Sequence, residues 1–209
     1  MHKNWSQLII TKFDNMLKII AVFLIGLAIV DALVPKVKLC DYESCPEVSR
    51  LGLGALHLGD SISGLTNVTE INIWIQTAVD NGITLFDLAD VYPVKGGDSG
   101  TSAELFGKAL ALTPGLRDQI TIIAKMDIIF PKTIDTSRNH LISTLNWFLN
   151  VLNTDHIDIL LLHYPDSFMN ATAIAELFLE FKNQGKVIYF GVSNHYISHY
   201  ELLQKKLNE

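Results

Sequence analysis

An α/β fold, with a parallel sheet flanked by helices, is what this sequence predicts. Short apolar runs bounded by turn residues alternate with segments whose apolar residues recur at helical spacing. The pairs return at roughly 30–37 residues, a length suited to a strand–helix–strand crossover. The second to fifth apolar runs also end in a polar residue, as a buried parallel strand does where it opens onto a site. The clearest is Ile83-Thr84-Leu85-Phe86, set between Asn81-Gly82 and the carboxylate of Asp87.

The first 35 residues differ in kind from the rest. Every residue from Ile19 to Val30 is apolar or Gly, and Lys3, Lys12 and Lys18 precede the run. Residues 1–35 are therefore expected to form an N-terminal hydrophobic helix that acts as a signal peptide or an anchor. Residues 19–34 would then associate with a membrane or direct entry to the secretory route. A buried core helix in a cytoplasmic protein is the alternative. Asn67-Val68-Thr69 and Asn170-Ala171-Thr172 match the glycosylation acceptor pattern, which is too common to settle the compartment.

Residues 36–209 form the globular part. Lys36 to Cys40 and Glu47 to Arg50 are expected to pair as a hairpin. Cys40 and Cys45 have no histidine close by, so a zinc site is a poor reading. Two free thiols are expected, with a small local disulfide as the alternative in an exported chain. Leu51 to Gly54 is a short first strand. A helix follows from Thr69 to Asp80, with Ile71, Trp74, Ile75, Ala78 and Val79 on one face. Strand two ends at Asp87, and Tyr92 lies five residues on, in the loop.

Thr101-Ser102-Ala103-Glu104 has the form of a capping box opening a helix through Leu112. Ile120 to Ala124 is strand three and ends at Lys125. The next helix aligns Leu141, Leu145, Phe148, Leu149 and Leu152. Ile157 to Leu162 is strand four and ends at His163. Asn170 caps a helix that carries Ile174, Leu177, Phe178 and Phe181 on one face. Val187 to Val192 is strand five, ending at Ser193-Asn194, and a last helix starts near Ser198.

Parallel strands joined by right-handed crossovers place their carboxyl ends on one face. Asp87, Lys125, His163, Ser193 and Asn194 then converge, with Tyr92 above them. A phenol, an ammonium and a carboxylate on one rim suit proton transfer. A free phenol titrates near pH 10 and is a reluctant donor at neutral pH. A neighbouring ammonium stabilises the phenolate, and a carboxylate keeps that ammonium charged and in place. Each residue also has a plain structural reading, from loop-amide acceptor (Asp87) and solvated strand end (Lys125) to loop aromatic (Tyr92), structural histidine (His163) and turn pair (Ser193-Asn194). Those plain readings need four coincidences on one face. His57, His140, His156, His195 and His199 read as surface or structural groups, and Trp74 and Trp147 as packing. The net charge of −6, with no basic stripe alternating with aromatics, argues against nucleic acid. No metal is expected.

Phe86-Asp87-Leu88-Ala89-Asp90-Val91-Tyr92, Ala124-Lys125, Leu162-His163 and Gly191-Val192-Ser193-Asn194 resemble, in order and spacing, the motifs of the aldo-keto reductase family. The resemblance covers about Leu51 to Leu203. His163-Tyr164-Pro165-Asp166 is similar to a His-x-Pro-Asp turn in a bacterial oxidoreductase subgroup. It implies a parallel (β/α) TIM-barrel fold and an NAD(P)H-dependent oxidoreductase that reduces aldehyde or ketone carbonyls of small molecules. By resemblance Tyr92 is the proton donor, Lys125 its tuner and Asp87 the partner of Lys125 at the edge of the cofactor site. His163 orients the substrate oxygen, and Ser193 and Asn194 hold the nicotinamide carboxamide. NADP (as NADPH) is the implied cofactor.

The family barrel closes eight strands over about 250 residues, whereas five strand–helix units fit before Glu209. The chain is therefore expected to be an incomplete, carboxy-terminally truncated barrel with impaired activity. It would be an incomplete gene product, a fragment completed by another chain, or an inactive relic. Strands one and five would be open edges that invite self-association. The alternative function is a catalytically inactive cofactor-binding or regulatory module of the same fold.

Overall fold

The computed structural model describes residues 33–39, 45–60, 65–93, 98–129 and 133–207. The expected N-terminal hydrophobic helix and Cys40 lie outside the described residues. No helix within them is long and apolar enough to cross a membrane.

A small antiparallel hairpin comes first, β1 (Lys36–Lys38) against β2 (Glu47–Ser49), with Val37 opposite Val48. Beyond the ladder the Leu39 N–H donates to the Pro46 carbonyl at 3.2 Å. Cys45 is disulfide-bonded, and no cysteine among the described residues is free. The expected free thiol is corrected at Cys45, because the hairpin draws the two arms of the chain together beside it. Buried Ser49 ties the hairpin to the main sheet: its hydroxyl accepts from the Thr84 and Leu85 N–H groups at 3.0 and 3.1 Å and donates to the Leu51 carbonyl at 2.6 Å.

The main sheet holds five parallel strands in the order β3 (Gly52–Gly54), β4 (Leu85–Ala89), β5 (Thr121–Met126), β8 (Ile157–Leu162) and β9 (Val187–Val192). Among the described residues no strand pairs beyond β3 or β9, so both are edges. The intervening helices are α1 (Val68–Asp80), α2 (Thr101–Leu110), α3 (Arg138–Val151), α4 (Ala171–Asn183) and α5 (Ile197–Leu207). A second two-stranded hairpin, β6 (Ile128–Ile129) with β7 (Thr133–Ile134), sits above β5.

Local chemistry explains most element boundaries. The Asn67 side chain accepts from the Thr69 and Glu70 N–H groups and starts α1. Asn170 and Ser137 open α4 and α3 in the same way. The capping box expected at Thr101–Glu104 does not form. Gly100 occupies the cap position at φ 88°, and buried Ser102 instead donates its hydroxyl to the Ala55 carbonyl at 2.6 Å. That contact reaches from α2 to the loop after β3.

Two strands run further than their apolar stretches. β4 continues through Asp87 to Ala89, and β5 through Lys125 to Met126, with Asp87 opposite Ile123 and Ala89 opposite Lys125. The backbone ladder does not depend on side-chain polarity, so it carries both ionisable residues inside the sheet. Alternation then sends Phe86, Leu88, Ile122 and Ala124 under the helices, all fully buried. Asp87 and Lys125 take the other face. On the helix side, Phe86 packs edge-on to Trp74 and tilted against Phe106, at 5.6 and 5.4 Å between rings. Each such side chain contributes roughly 1.5–3 kcal/mol on burial, so this layer holds the sheet together. At Gly107 any Cβ would overlap the Val151 carbonyl, so α2 and α3 meet backbone to backbone.

The far end of the strands is stapled by Arg117. Its guanidinium donates to Asp158 at 2.8 Å, to the His156 carbonyl at 3.0 Å and to the Ile120 carbonyl at 3.2 Å. Asp158 in turn accepts from the Ile122 N–H. β5 and β8 are thereby locked in register at the rim opposite their carboxyl ends.

Candidate active site

Lys125 is the centre of the carboxyl-end rim. It sits in β5 with 6% of its surface exposed, and a buried ammonium requires an anion and good hydrogen bonds. Asp87 on the neighbouring strand supplies the anion: its Oδ1 accepts from Lys125 Nζ in a direct ion pair. The same Nζ lies 5.1 Å from the centre of the Tyr92 ring, within cation–π range. The carboxylate, ammonium and phenyl ring thus follow one another across the rim.

Tyr92 is buried and held by its main chain. Its N–H donates to the Ala89 carbonyl at 3.3 Å, and its carbonyl accepts from the Ser102 N–H at 3.1 Å. The ring shares a small cluster with Ala89, Val91, Leu56 and Ile128. Ser102, already tied to Ala55 through its hydroxyl, therefore braces the candidate donor as well.

His163 follows β8 and is also buried. Its ring lies 6.2 Å from that of Tyr92 and nearly perpendicular to it. Burial, with the Lys125 charge adding to it, pushes the imidazole down to about 4. At neutral pH the ring is uncharged, with one donor and one acceptor nitrogen. Nδ1 is buried and has no hydrogen-bond partner among the described residues.

Ser193 and Asn194 leave β9 at the same rim. The Ser193 N–H donates to the Leu162 carbonyl at 2.7 Å. Asn194 has φ 58°, a left-handed conformation that asparagine tolerates. Its Nδ2 donates to the His163 carbonyl at 2.9 Å and to Ser193 Oγ at 3.0 Å. The structure brings Asp87, Lys125, Tyr92 and His163 into direct contact range, and ties Ser193 and Asn194 to that group through the main chain of Leu162 and His163.

Two carboxyls behind the rim escaped sequence reasoning. Asp90 Oδ2 accepts from the Asp127 and Ile128 N–H groups at 3.1 and 3.4 Å. Asp127 is fully buried and accepts from the His163 N–H at 2.8 Å and the Tyr164 N–H at 3.2 Å. Burial pushes Asp90 up to about 7, and burial, with the nearby Asp90 and Asp166 charges adding to it, pushes Asp127 up to about 8. Asp90 stands inside the Phe86–Tyr92 motif and Asp127 lies two residues past Lys125, so proximity to the motifs was the available signal.

These shifts set a pH dependence. Folded Asp90 and Asp127 keep protons that the unfolded chain, with carboxyls at the ordinary 3.8, has already released. Stability therefore falls as pH rises toward about 8. Buried His163 and His195, both lowered, act in the opposite sense, but only below their ordinary 6.5. Between about pH 6.5 and 8 the carboxyls act alone. The urea midpoint should drop across that window, and Asp127→Asn should flatten the drop. A midpoint that rises there would contradict the burial of these two acids.

A hollow of about 710 Å³ lies elsewhere, beside Arg117, Asn150, Asn153 and His156 at the opposite rim. Its guanidinium is committed to the staple between β5 and β8, so it is not a candidate for the chemistry.

The model of the Aldo/keto reductase family matches residues 50–208. Over 144 residues the chain is 41% identical to the uncharacterized oxidoreductase YcsN of Bacillus subtilis (strain 168), covering 65% of this chain and 46% of that protein. Over 169 residues it is 36% identical to the oxidoreductase YdhF of Escherichia coli (strain K12), covering 78% and 54%. The aldo-keto reductase AKR11C1 from Bacillus halodurans, in its holo form, superposes with a TM-score of 0.68 at 26% identity, over 84% of this chain and 55% of that one. The chain thus spans about half the length of the curated relatives it matches. The fold shared with the solved structure is of the α/β TIM-barrel type.

Proposed function

Because the chain belongs to the aldo/keto reductase family, we propose that it reduces aldehyde or ketone carbonyls of small molecules with NADPH, Tyr92 serving as proton donor. The observation that carries this reading is the position of Lys125. It is a buried ammonium paired with Asp87 on one side and 5.1 Å from the Tyr92 ring on the other. A strand-end lysine with a merely structural role is ordinarily solvated.

Each side chain then has a task. The Lys125 ammonium stabilises the negative charge left on the phenolic oxygen as its proton passes to the substrate oxygen. Asp87 keeps the lysine charged and aimed. Neutral His163, one ring nitrogen of which can donate, holds the carbonyl oxygen beside the phenol and orients it. Ser193 and Asn194 offer a hydroxyl and a carboxamide at the same rim, complementary to the amide of a nicotinamide ring. When bound, that cofactor supplies the hydride. The choice of NADPH rests on the family resemblance.

The test is turnover of purified chain with NADPH and a panel of small aldehydes, alongside binding measured by quenching of protein fluorescence. NADPH binding with aldehyde-dependent NADPH loss is the expected result. Absence of nicotinamide binding would end the reductase reading. Binding without turnover would favour the silent cofactor-binding module instead.

A further inference from the structure

Asp127 has a conformation that an aspartate rarely holds, φ 111°. Non-glycine residues in such regions persist where the surroundings over-determine them, commonly at functional sites. Here the main chain is pinned on both sides: the Asp127 N–H donates to Asp90 Oδ2 at 3.1 Å, and its carbonyl accepts from the Asp135 N–H at 2.8 Å. The side chain is fully buried and points at the turn after β8. It accepts from the His163 N–H at 2.8 Å and from the Tyr164 N–H, at 3.2 Å to Oδ2 and 3.3 Å to Oδ1. The His163 N–H is shared with the Met126 carbonyl at 3.0 Å. Among the described residues no acceptor other than Asp127 serves Tyr164.

We propose that Asp127 is a positioning residue: its carboxyl anchors the His163–Tyr164 main chain and so sets the His163 ring against Tyr92. The anchor crosses from β5 to β8, the two strands that deliver Lys125 and His163. The strain at Asp127 is retained because a glycine, which would relieve it, has no side chain to reach those amides. Asp90 is the outer member of the same device. It fixes the backbone from which the Asp127 side chain projects. The ring separation of 6.2 Å between Tyr92 and His163 then follows from the sheet spacing plus this tether. A misplacement of about 1 Å in such a pair can lower turnover by about 10²-fold.

The role of the tether in turnover rests on the reductase reading, whereas the tether itself can be measured without it. Asp127→Gly and Asp127→Asn are made in the full chain and compared with the parent by amide hydrogen exchange, NADPH binding and aldehyde reduction. In Asp127→Gly the Tyr164 amide should exchange faster by on the order of tenfold or more, with a smaller rise at His163, which keeps Met126. Its kcat should fall by about 10²-fold with NADPH affinity unchanged. Asp127→Asn, which keeps a side-chain acceptor, should recover part of both. Selectively faster exchange at Tyr164 in Asp127→Gly, together with a parent that shows no turnover, would support the anchor and remove the reductase reading. Unchanged exchange at Tyr164, or equal loss of protection throughout the sheet, would overturn the proposal.

Discussion

Tyr92→Phe is expected to lower aldehyde reduction by about 10²–10⁴-fold, the range attributable to one positioned general acid, while leaving NADPH binding intact. The substitution removes one oxygen and its proton. Everything that holds the ring remains: the Tyr92 N–H to Ala89, the Ser102 N–H to its carbonyl, and the packing on Ala89 and Val91. The fold should be unaffected, because the ring's apolar contacts are those a phenylalanine also makes. Steady-state kinetics and a urea curve on the same preparation separate the two effects. Turnover within a few-fold of the parent would remove Tyr92 from the mechanism.

Lys125→Met is expected to affect both turnover and stability. The thioether keeps much of the volume inside β5 but removes the charge 5.1 Å from the Tyr92 ring, so reduction should fall on the same order as in Tyr92→Phe. It also leaves Asp87 without its cation. Breaking a buried ion pair typically costs about 3–5 kcal/mol. The Asp87 side chain is 36% exposed, so water compensates part of the loss and about 1–2 kcal/mol is the expected destabilisation. Adding Asp87→Asn should restore most of that stability and none of the activity, because the two side chains form one unit. If the double variant is no more stable than Lys125→Met, the pair is not what holds the lysine in the sheet.

The alternation of apolar runs with helical-period segments made the five-stranded parallel sheet legible, as did the apolar faces around Ile71, Leu145 and Phe178. Strand ends were less so. Asp87 and Lys125 look like terminators by polarity, yet the ladder passes through both, because backbone pairing continues wherever the neighbouring strand does. Ser102 reads locally as part of a capping box, and its actual partner lies 47 positions away in the chain. The β6–β7 hairpin has two residues per strand, too few for any period to show. The chemical types and order of the candidate site residues could be read from the strand ends. The tether from Asp127 could not, since it depends on strand register and on a backbone angle that leaves no mark in composition.

The most direct measurement follows the hydrogen itself. NADPH carrying deuterium at C4 of the nicotinamide is incubated with the chain and a small aldehyde, and the alcohol is analysed for label, with Tyr92→Phe as control. Deuterium at the carbinol carbon, matched to cofactor consumed and lost in the control, is the predicted result. Alcohol without label, or label that Tyr92→Phe still delivers at the parent rate, would contradict the assignment of this rim as a carbonyl reductase site.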